Sequence, residues 1–314
     1  MIHFKSILKD ELNDFLELRE ASKSKNTYDH DRHTLQRFDE YLYTIDCKDK
    51  TLLEEQMAGW IRTLTGKSSS IANVVILIKI FLQNLKSYGV NAYIPPTPKV
   101  SNDYVPYIFS DDEMNLIFDI ADMLQMGTSY KTTLIHVEYP MILRLMYGCG
   151  LRIGETLSLK MKHVDLDTGV LTLKYTKGGK QRLVPMHISL TAILKQYCMV
   201  MGIIGYPEAH LFPTVDPMKA VTIGAARHKF NDILELGNIF LSGRKKHQRG
   251  PCMHCIRHVF VFNSFANEEK DGRRIDDSVP YLSIYLGHNS LNETEKYLKF
   301  SSEMFPEAME LFDD

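Results

Sequence analysis

Apolar residues recur at three- and four-residue intervals over most of the chain, the period of amphipathic helices. Ile7, Leu8, Leu12, Phe15 and Leu16 mark a helix over about 6–22. Ile71, Val74, Val75, Ile78, Phe81, Leu82 and Leu85 mark another over about 68–88, with Ser68, Ser69 and Ser70 as N-cap candidates. Two more helices are predicted between them, at about 27–45 and 51–64. The periodicity stops in NAYIPPTPKVSNDYVPY, residues 91–107, where four prolines and several turn residues intervene. The pattern therefore predicts a helical domain over 1–92, a proline-rich linker over 93–107 and a second domain over 108–314.

The second domain opens with FSDDEMNLIFDIADML, in which Ser110 and Glu113 have the spacing of a capping box. One later segment, MKHVDLDTGVLTLKYTKGGKQRLVPMH, breaks the helical pattern. After a turn at 167–169, Val170, Thr172 and Lys174 alternate with Leu171, Leu173 and Tyr175; a Lys-Gly-Gly-Lys turn then leads to a short run ending at Pro185. This predicts a β-hairpin. Helices resume at about 189–202 and 217–236, and LGNIFLSGRKKHQRGPC reads as a loop. The expected fold class is mainly α with a small β-hairpin or sheet, in two domains.

With 314 residues, 44% hydrophobic and 24% charged, the chain has material for two cores. Its five cysteines, Cys47, Cys149, Cys198, Cys252 and Cys255, are too scattered for a disulfide framework, and their odd number fits a reducing, cytoplasmic compartment. The N-terminal MIHFKSILKDELNDF has charges where a signal peptide needs an apolar run, and no membrane span is expected. The net charge of −2 lacks the overall basic signature of a nucleic-acid-binding protein. Distribution changes the picture: residues 150–190 carry seven basic residues against three acidic, and 219–257 carry eight against two. These are either basic faces for a polyanion or two solvated lysine-rich loops.

Five pieces occur in order along the second domain. Arg152 stands in YGCGLRIGETLSL, Lys177 at the predicted hairpin tip, His254 and Arg257 in MHCIRHVF, His288 in Leu-Gly-His, and Tyr297 nine residues later. Together they resemble the tyrosine recombinase or phage integrase family. The resemblance covers the whole second domain, and the helical domain with its linker is similar to the family's core-binding domain, a SAM-like helical module. It implies a site-specific DNA recombinase that cleaves and rejoins strands through a covalent 3′-phosphotyrosine, with Arg152, Lys177, His254, Arg257, His288 and Tyr297 catalytic and Tyr297 the nucleophile. It also implies no cofactor and no metal, double-stranded DNA as partner, and assembly as a tetramer on paired sites. A mobile-element role in integration, excision or transposition is the expected setting.

The residue types suit that chemistry on their own terms. Charge gathers on the non-bridging oxygens of an attacked phosphodiester, and two guanidiniums hold it through fixed forks that lysine does not reproduce. A phenol with a pKa of about 10 needs its proton removed or its phenolate stabilised, and Arg152, Arg257 and His254 are placed in sequence to help. The leaving 5′ oxygen needs a proton, which the resemblance assigns to Lys177, with Lys174 and Lys180 as competitors. Plainer readings exist: Arg152 has the i, i+3 spacing of an ion pair with Glu155, and Cys252-x-x-Cys255 with His247, His254 and His258 is half of a zinc site. A catalytically silent DNA-binding protein of the same fold is another alternative. LGNIFLSGRKKHQRGPC and NEEKDGRRIDDSVPYLSIY look like insertions relative to the family pattern. The terminal LKFSSEMFPEAMELFDD predicts an apolar helical face that docks on its own domain or on a neighbouring protomer.

Overall fold

A computed structural model of the chain describes residues 3–100, 106–124, 130–174, 181–243 and 250–288, with 290, 291, 293, 294 and 297 beyond them; at 130–133, 275 and 276 the backbone alone is described. Lys177, Lys180, His247 and the terminal segment from 298 onward lie outside the described residues. The chain divides into two compact units, Met1–Asp103 and Tyr104–Asp314.

The first unit is built from α1 (Lys9–Ser22), α2 (Lys25–Thr44), α3 (Glu54–Thr63) and α4 (Ser68–Ser87). Its core joins the heptad-like stripes of the sequence: Leu12 and Phe15 from α1, Leu35 and Phe38 from α2, Trp60 from α3, and Val75, Ile78 and Phe81 from α4 are all buried. Phe38 meets the edge of Trp60 at 5.1 Å, an aromatic geometry that adds to simple burial. The Asp39 carboxylate accepts the backbone N–H groups of Lys5 and Ser6 at 2.7 and 2.9 Å, which ties the N-terminal segment to α2. The serine run does not cap α4. Its N-cap is Lys67, without a side-chain bond, and Ser68–Ser70 form the first turn. Helix α4 is also long and apolar enough to cross a membrane by length and composition, against the expectation of no such segment. Its Val75, Ile78, Phe81, Leu82 and Leu85 are instead buried in this core.

The second unit contains α5 (Asp111–Asp122), α6 (Tyr130–Cys149), α7 (Ile153–Ser158), a 3-10 turn at Met161–His163, strands β1 (Val164–Asp165), β2 (Val170–Leu173) and β3 (Arg182–Pro185), then α8 (Ile188–Val200), α9 (Ile223–Leu236), α10 (Met253–Lys270) and α11 (Ile275–Leu286). The capping box is present: Ser110 Oγ accepts from Glu113 N, and Glu113 Oε2 accepts from Ser110 N. The hairpin is the two longer strands of an antiparallel three-stranded sheet, with Val170 opposite Pro185 and Leu173 opposite Arg182. Strand β1 is two residues long, too short to show a period of two. Helix α9 starts at Ile223, not near 217, because Thr222 accepts from Ala225 N and Pro213 bridges to Ala220 ahead of it. The stretch 267–285 supplies the end of α10, a turn and most of α11.

Helix α6 runs through the core, with Tyr139, Met141, Ile142, Leu145 and Met146 buried. The same helix buries Glu138, whose two carboxylate oxygens make no hydrogen bond. Burial raises its pKa from 4.5 to about 8. The unfolded chain releases this proton near 4.5 while the folded protein keeps it to about 8, so stability falls as pH rises across that window. Glu138→Met keeps the side-chain length and removes both oxygens. It should raise unfolding stability by about 1–3 kcal/mol at pH 8 and by less at pH 5, measured by urea denaturation at the two pH values.

Candidate active site

Three arginines from separate elements converge on one carboxylate. Glu155, in the first turn of α7, accepts the Arg152 backbone N–H at 3.0 Å through Oε2 and the Arg152 Nη1 donor at 3.0 Å through Oε1. Arg182, which opens β3, grips it through two further bonds, Nη1 to Oε1 at 3.0 Å and Nη2 to Oε2 at 2.9 Å. Arg257 from α10 brings Nη1 within 3.9 Å of Oε2. The i, i+3 pairing of Arg152 with Glu155 is therefore real, and it is one part of a larger cluster. Three guanidiniums against one carboxylate leave two positive charges in a site where the Arg257 side chain is 1% exposed, Arg182 9% and Arg152 22%. That imbalance calls for an anion, and the side open to it is that of Arg152.

Two glycines make the convergence sterically feasible. Gly150 has φ +59, and a Cβ there would sit 2.5 Å from the Phe260 ring. Its carbonyl accepts Arg257 Nη1 at 2.6 Å. Gly287 ends α11 in the left-handed region with φ +65, and a Cβ there would lie 2.7 Å from Arg182 Nη1. The preceding Leu286 carbonyl accepts Arg257 Nη2 at 2.8 Å and Arg152 Nη1 at 3.5 Å. Backbone carbonyls thus aim both arginines, as bidentate recognition of an oxyanion requires.

The left-handed turn at Gly287 sends His288 into the cluster. Arg257 Nη2 lies 3.1 Å from His288 Nε2 and can only donate, so Nε2 is bare and the proton on Nδ1 points to Thr294 Oγ1 at 2.7 Å. Burial, then the charges of Arg257, Arg152 and Arg182, push the His288 pKa down to about 3. Arg257 itself is lowered to about 10 by burial and by Arg152, and stays cationic at neutral pH. For Glu155, burial acts upward, but the hydrogen bonds and charges of Arg182 and Arg152 outweigh it and hold the carboxyl below 4.5.

Tyr297 is buried at 7% exposure against Val261, Phe262, Phe265, Val279 and Leu286. Its ring lies parallel to that of His288, with centroids 6.4 Å apart, and its hydroxyl is 3.1 Å from His258 Nδ1. His254 is exposed one turn back on α10, its ring edge-on to His258 at 4.8 Å. The structure therefore brings together Arg152, Arg257, His288 and Tyr297 and sets His254 at their margin, while Lys177 lies outside the described residues; its competitor Lys174 is exposed at the end of β2. Sequence reasoning missed Arg182, His258 and Thr294 as site residues. Arg182 had a signal in the R-x-V-P run that ends the hairpin, and His258 is the last residue of the H-x-x-R-H run, though neither was given a role there; nothing in the spacing marks Thr294.

Cys252 and Cys255 bring their sulfurs within 3.6 Å at the start of α10. Among the described residues no group of three His, Cys, Asp or Glu is placed to hold a metal ion. The buried arginine cluster makes a testable demand on Glu155. Its carboxyl titrates below the unfolded value, so its stabilisation is present above pH 4.5 and is lost as pH falls through the folded value. Glu155→Gln should cost about 3 kcal/mol at pH 7, with the deficit narrowing on acidification below that point, read from denaturation curves across pH.

This arrangement has relatives. Residues 109–304 match the model of the phage integrase family. The putative integrase/recombinase y4rB of Sinorhizobium fredii is 31% identical over 249 residues, 74% of each chain. The tyrosine recombinase XerA of Pyrococcus horikoshii is 25% identical over 97% of this chain and 93% of its own. Among solved structures, the fold is shared with XerH recombinase bound to palindromic difH substrate, at TM-score 0.67 and 18% identity over 97% of this chain and 85% of that one. It is also shared with a lambda integrase dimer bound to a core site, at TM-score 0.68 and 14% identity over 92% and 76%. By the family match over most of its length and by the relationship to y4rB, the chain belongs to the phage integrase family of tyrosine recombinases.

Proposed function

We propose that the protein is a site-specific DNA recombinase that cleaves and rejoins strands through a covalent 3′-phosphotyrosine on Tyr297. One observation carries the reading: an excess of two buried positive charges at Arg152, Arg182, Arg257 and Glu155, with the Tyr297 ring stacked beside His288 next to it. A phosphodiester supplies the missing negative charge, and the paired guanidiniums stabilise its pentacovalent transition state. His288, neutral and oriented by Thr294, adds a polar group at the same place. His254, exposed three residues from Arg257 on the same helix, adds a further polar group beside the cluster. Lys177 on the β2–β3 connection protonates the leaving 5′ oxygen.

Double-stranded DNA is the partner, contacted by the helical unit over 1–92 and by 108–314, joined through the 93–107 linker. A tetramer on paired sites is the working assembly. Solved relatives of the same fold include a lambda integrase tetramer bound to a Holliday junction and a Tn1549 transposon integrase with a circular intermediate DNA, both with TM-scores of 0.64. These favour a mobile-element setting, in which the energy stored in phosphotyrosine lets strands rejoin without a nucleotide cofactor.

A library of nicked genomic DNA fragments, incubated with the protein, should yield covalent adducts that identify its site, and Tyr297→Phe should abolish them while retaining DNA binding. Adducts persisting in that variant would rule out Tyr297 as nucleophile. Arg152→Lys and Arg257→Lys should each slow cleavage at least about a hundredfold, because a lysine loses the bidentate fork. EDTA should leave the rate unchanged. Affinity for the captured site should fall steeply with salt as phosphate contacts release counterions, and a salt-independent affinity would argue against a phosphate-dominated interface.

A further inference from the structure

His258, the last residue of the H-x-x-R-H run, hydrogen-bonds the proposed nucleophile and has so far been given no role. We propose that His258 is the general base of the reaction, receiving the Tyr297 proton as the phenol attacks phosphorus. The inference rests on the recombinase reading above and deepens it.

His258 Nδ1 and the Tyr297 hydroxyl are 3.1 Å apart although the residues are separated by 39 positions, so the contact is made by tertiary packing. Both partners are buried, His258 at 6% and Tyr297 at 7% exposure. The tyrosine ring is caged: His258 lies 5.2 Å from it at a tilt of 56°, Phe262 meets it at 6.2 Å edge-on, and His288 lies parallel on another side. A phenol held in this way has its proton acceptor in place before attack, which is the preorganisation that proton transfer needs.

The other histidines have different commitments. His288 Nε2 accepts from Arg257, and its Nδ1 proton is directed to Thr294, so neither nitrogen is available to the phenol. His254 is exposed and meets His258 edge-on at 4.8 Å. Titratable groups in contact with His258 include His254 on its own helix and Tyr297 from the C-terminal segment, with Arg257 next to it in sequence and His288 against the tyrosine ring.

The step balances without a further reactant. The Tyr297 oxygen forms a bond to phosphorus, the bond from phosphorus to the 5′ oxygen breaks, the phenol proton moves to His258 Nδ1, and the 5′ oxygen takes a proton from the general acid. In rejoining, a 5′ hydroxyl bonds to phosphorus and gives its proton to the now deprotonated general acid, the bond from phosphorus to the Tyr297 oxygen breaks, and His258 returns its proton to the departing phenolate. The base is wanted because a phenol with pKa of about 10 is ionised to roughly one part in a thousand at pH 7.

His258→Asn places an amide oxygen near the Nδ1 position, so it preserves a hydrogen bond to the phenol but accepts no proton; His258→Gln is the companion variant. Single-turnover adduct formation is measured against pH on nicked duplexes made from the DNA sites that wild-type protein captures from a genomic fragment library. The Asn and Gln variants should lose about a hundredfold or more at pH 7, lose the acid limb of the wild-type profile, and recover as pH rises. Replacing Tyr297 by 3-fluorotyrosine, a more acidic phenol, should narrow the gap between variant and wild type. A folded His258→Asn or His258→Gln protein with the wild-type pH profile, or one that 3-fluorotyrosine fails to rescue, overturns the assignment. Tyr297→Phe is run beside them: if it still forms adducts, or if wild type captures no DNA, the recombinase reading itself fails, and the base assignment with it.

Discussion

The site depends on one buried carboxylate. Without Glu155, the guanidiniums of Arg152, Arg182 and Arg257 would share a nearly dry pocket with no opposing charge, at a cost that packing does not offset. With it, two arginines are oriented through both η nitrogens or a nitrogen and the backbone, and the pocket still retains a net positive charge. The balance is deliberate in its consequences: enough negative charge to fold the site, too little to neutralise it. A carboxylate held below its ordinary pKa by burial-opposing arginines keeps that balance fixed throughout the neutral range.

The same carboxylate links three elements whose contacts are otherwise sparse. Arg152 belongs to the start of α7, Arg182 to β3 and Arg257 to α10, and the Leu286 carbonyl at the end of α11 accepts from two of the three. Gly287 then turns left-handed against Arg182, and the chain delivers His288 to Arg257 and Tyr297 to His258. Charge pairing and the aromatic cage are therefore mechanically joined. A change that shifts the β3 arginine would be felt at the glycine turn and so at the tyrosine, though Arg182 touches neither Tyr297 nor His258 in any described contact.

Tyr297 itself sits in an apolar cluster, with its polar tip satisfied by an imidazole. Burial protects a phenol from water and limits its reach at once, so the proposed attack on a phosphate would require a turn of the ring or of the segment that carries it. The segment is short: Tyr297 is the ninth residue after His288, and Thr294 between them is already bonded to His288. The contacts of His288 with Arg257 and of Tyr297 with His258 thus both pass through a single turn after α11.

The helical periodicity, the capping box at Ser110 and Glu113 and the hairpin were legible in the residues themselves, because each depends on local backbone preferences, whereas Arg152, His254, Arg257, His288 and Tyr297 were picked out by resemblance to a known family. The same rules placed α9 too early, since Thr222 and the Pro213–Ala220 bridge win locally over apolar spacing, and they could not see a two-residue strand. What the tertiary structure decided is which of several arginines and histidines meet. Arg182 is a strand residue with ordinary alternation, and His258 is one of two histidines four apart on a helix; only the fold of α11 and the turn beyond it brings Gly287 against the first and Tyr297 against the second. Sequence fixes helices and motif order through interactions within a few residues, whereas contacts across 27, 39 or 107 positions are set by how those helices pack.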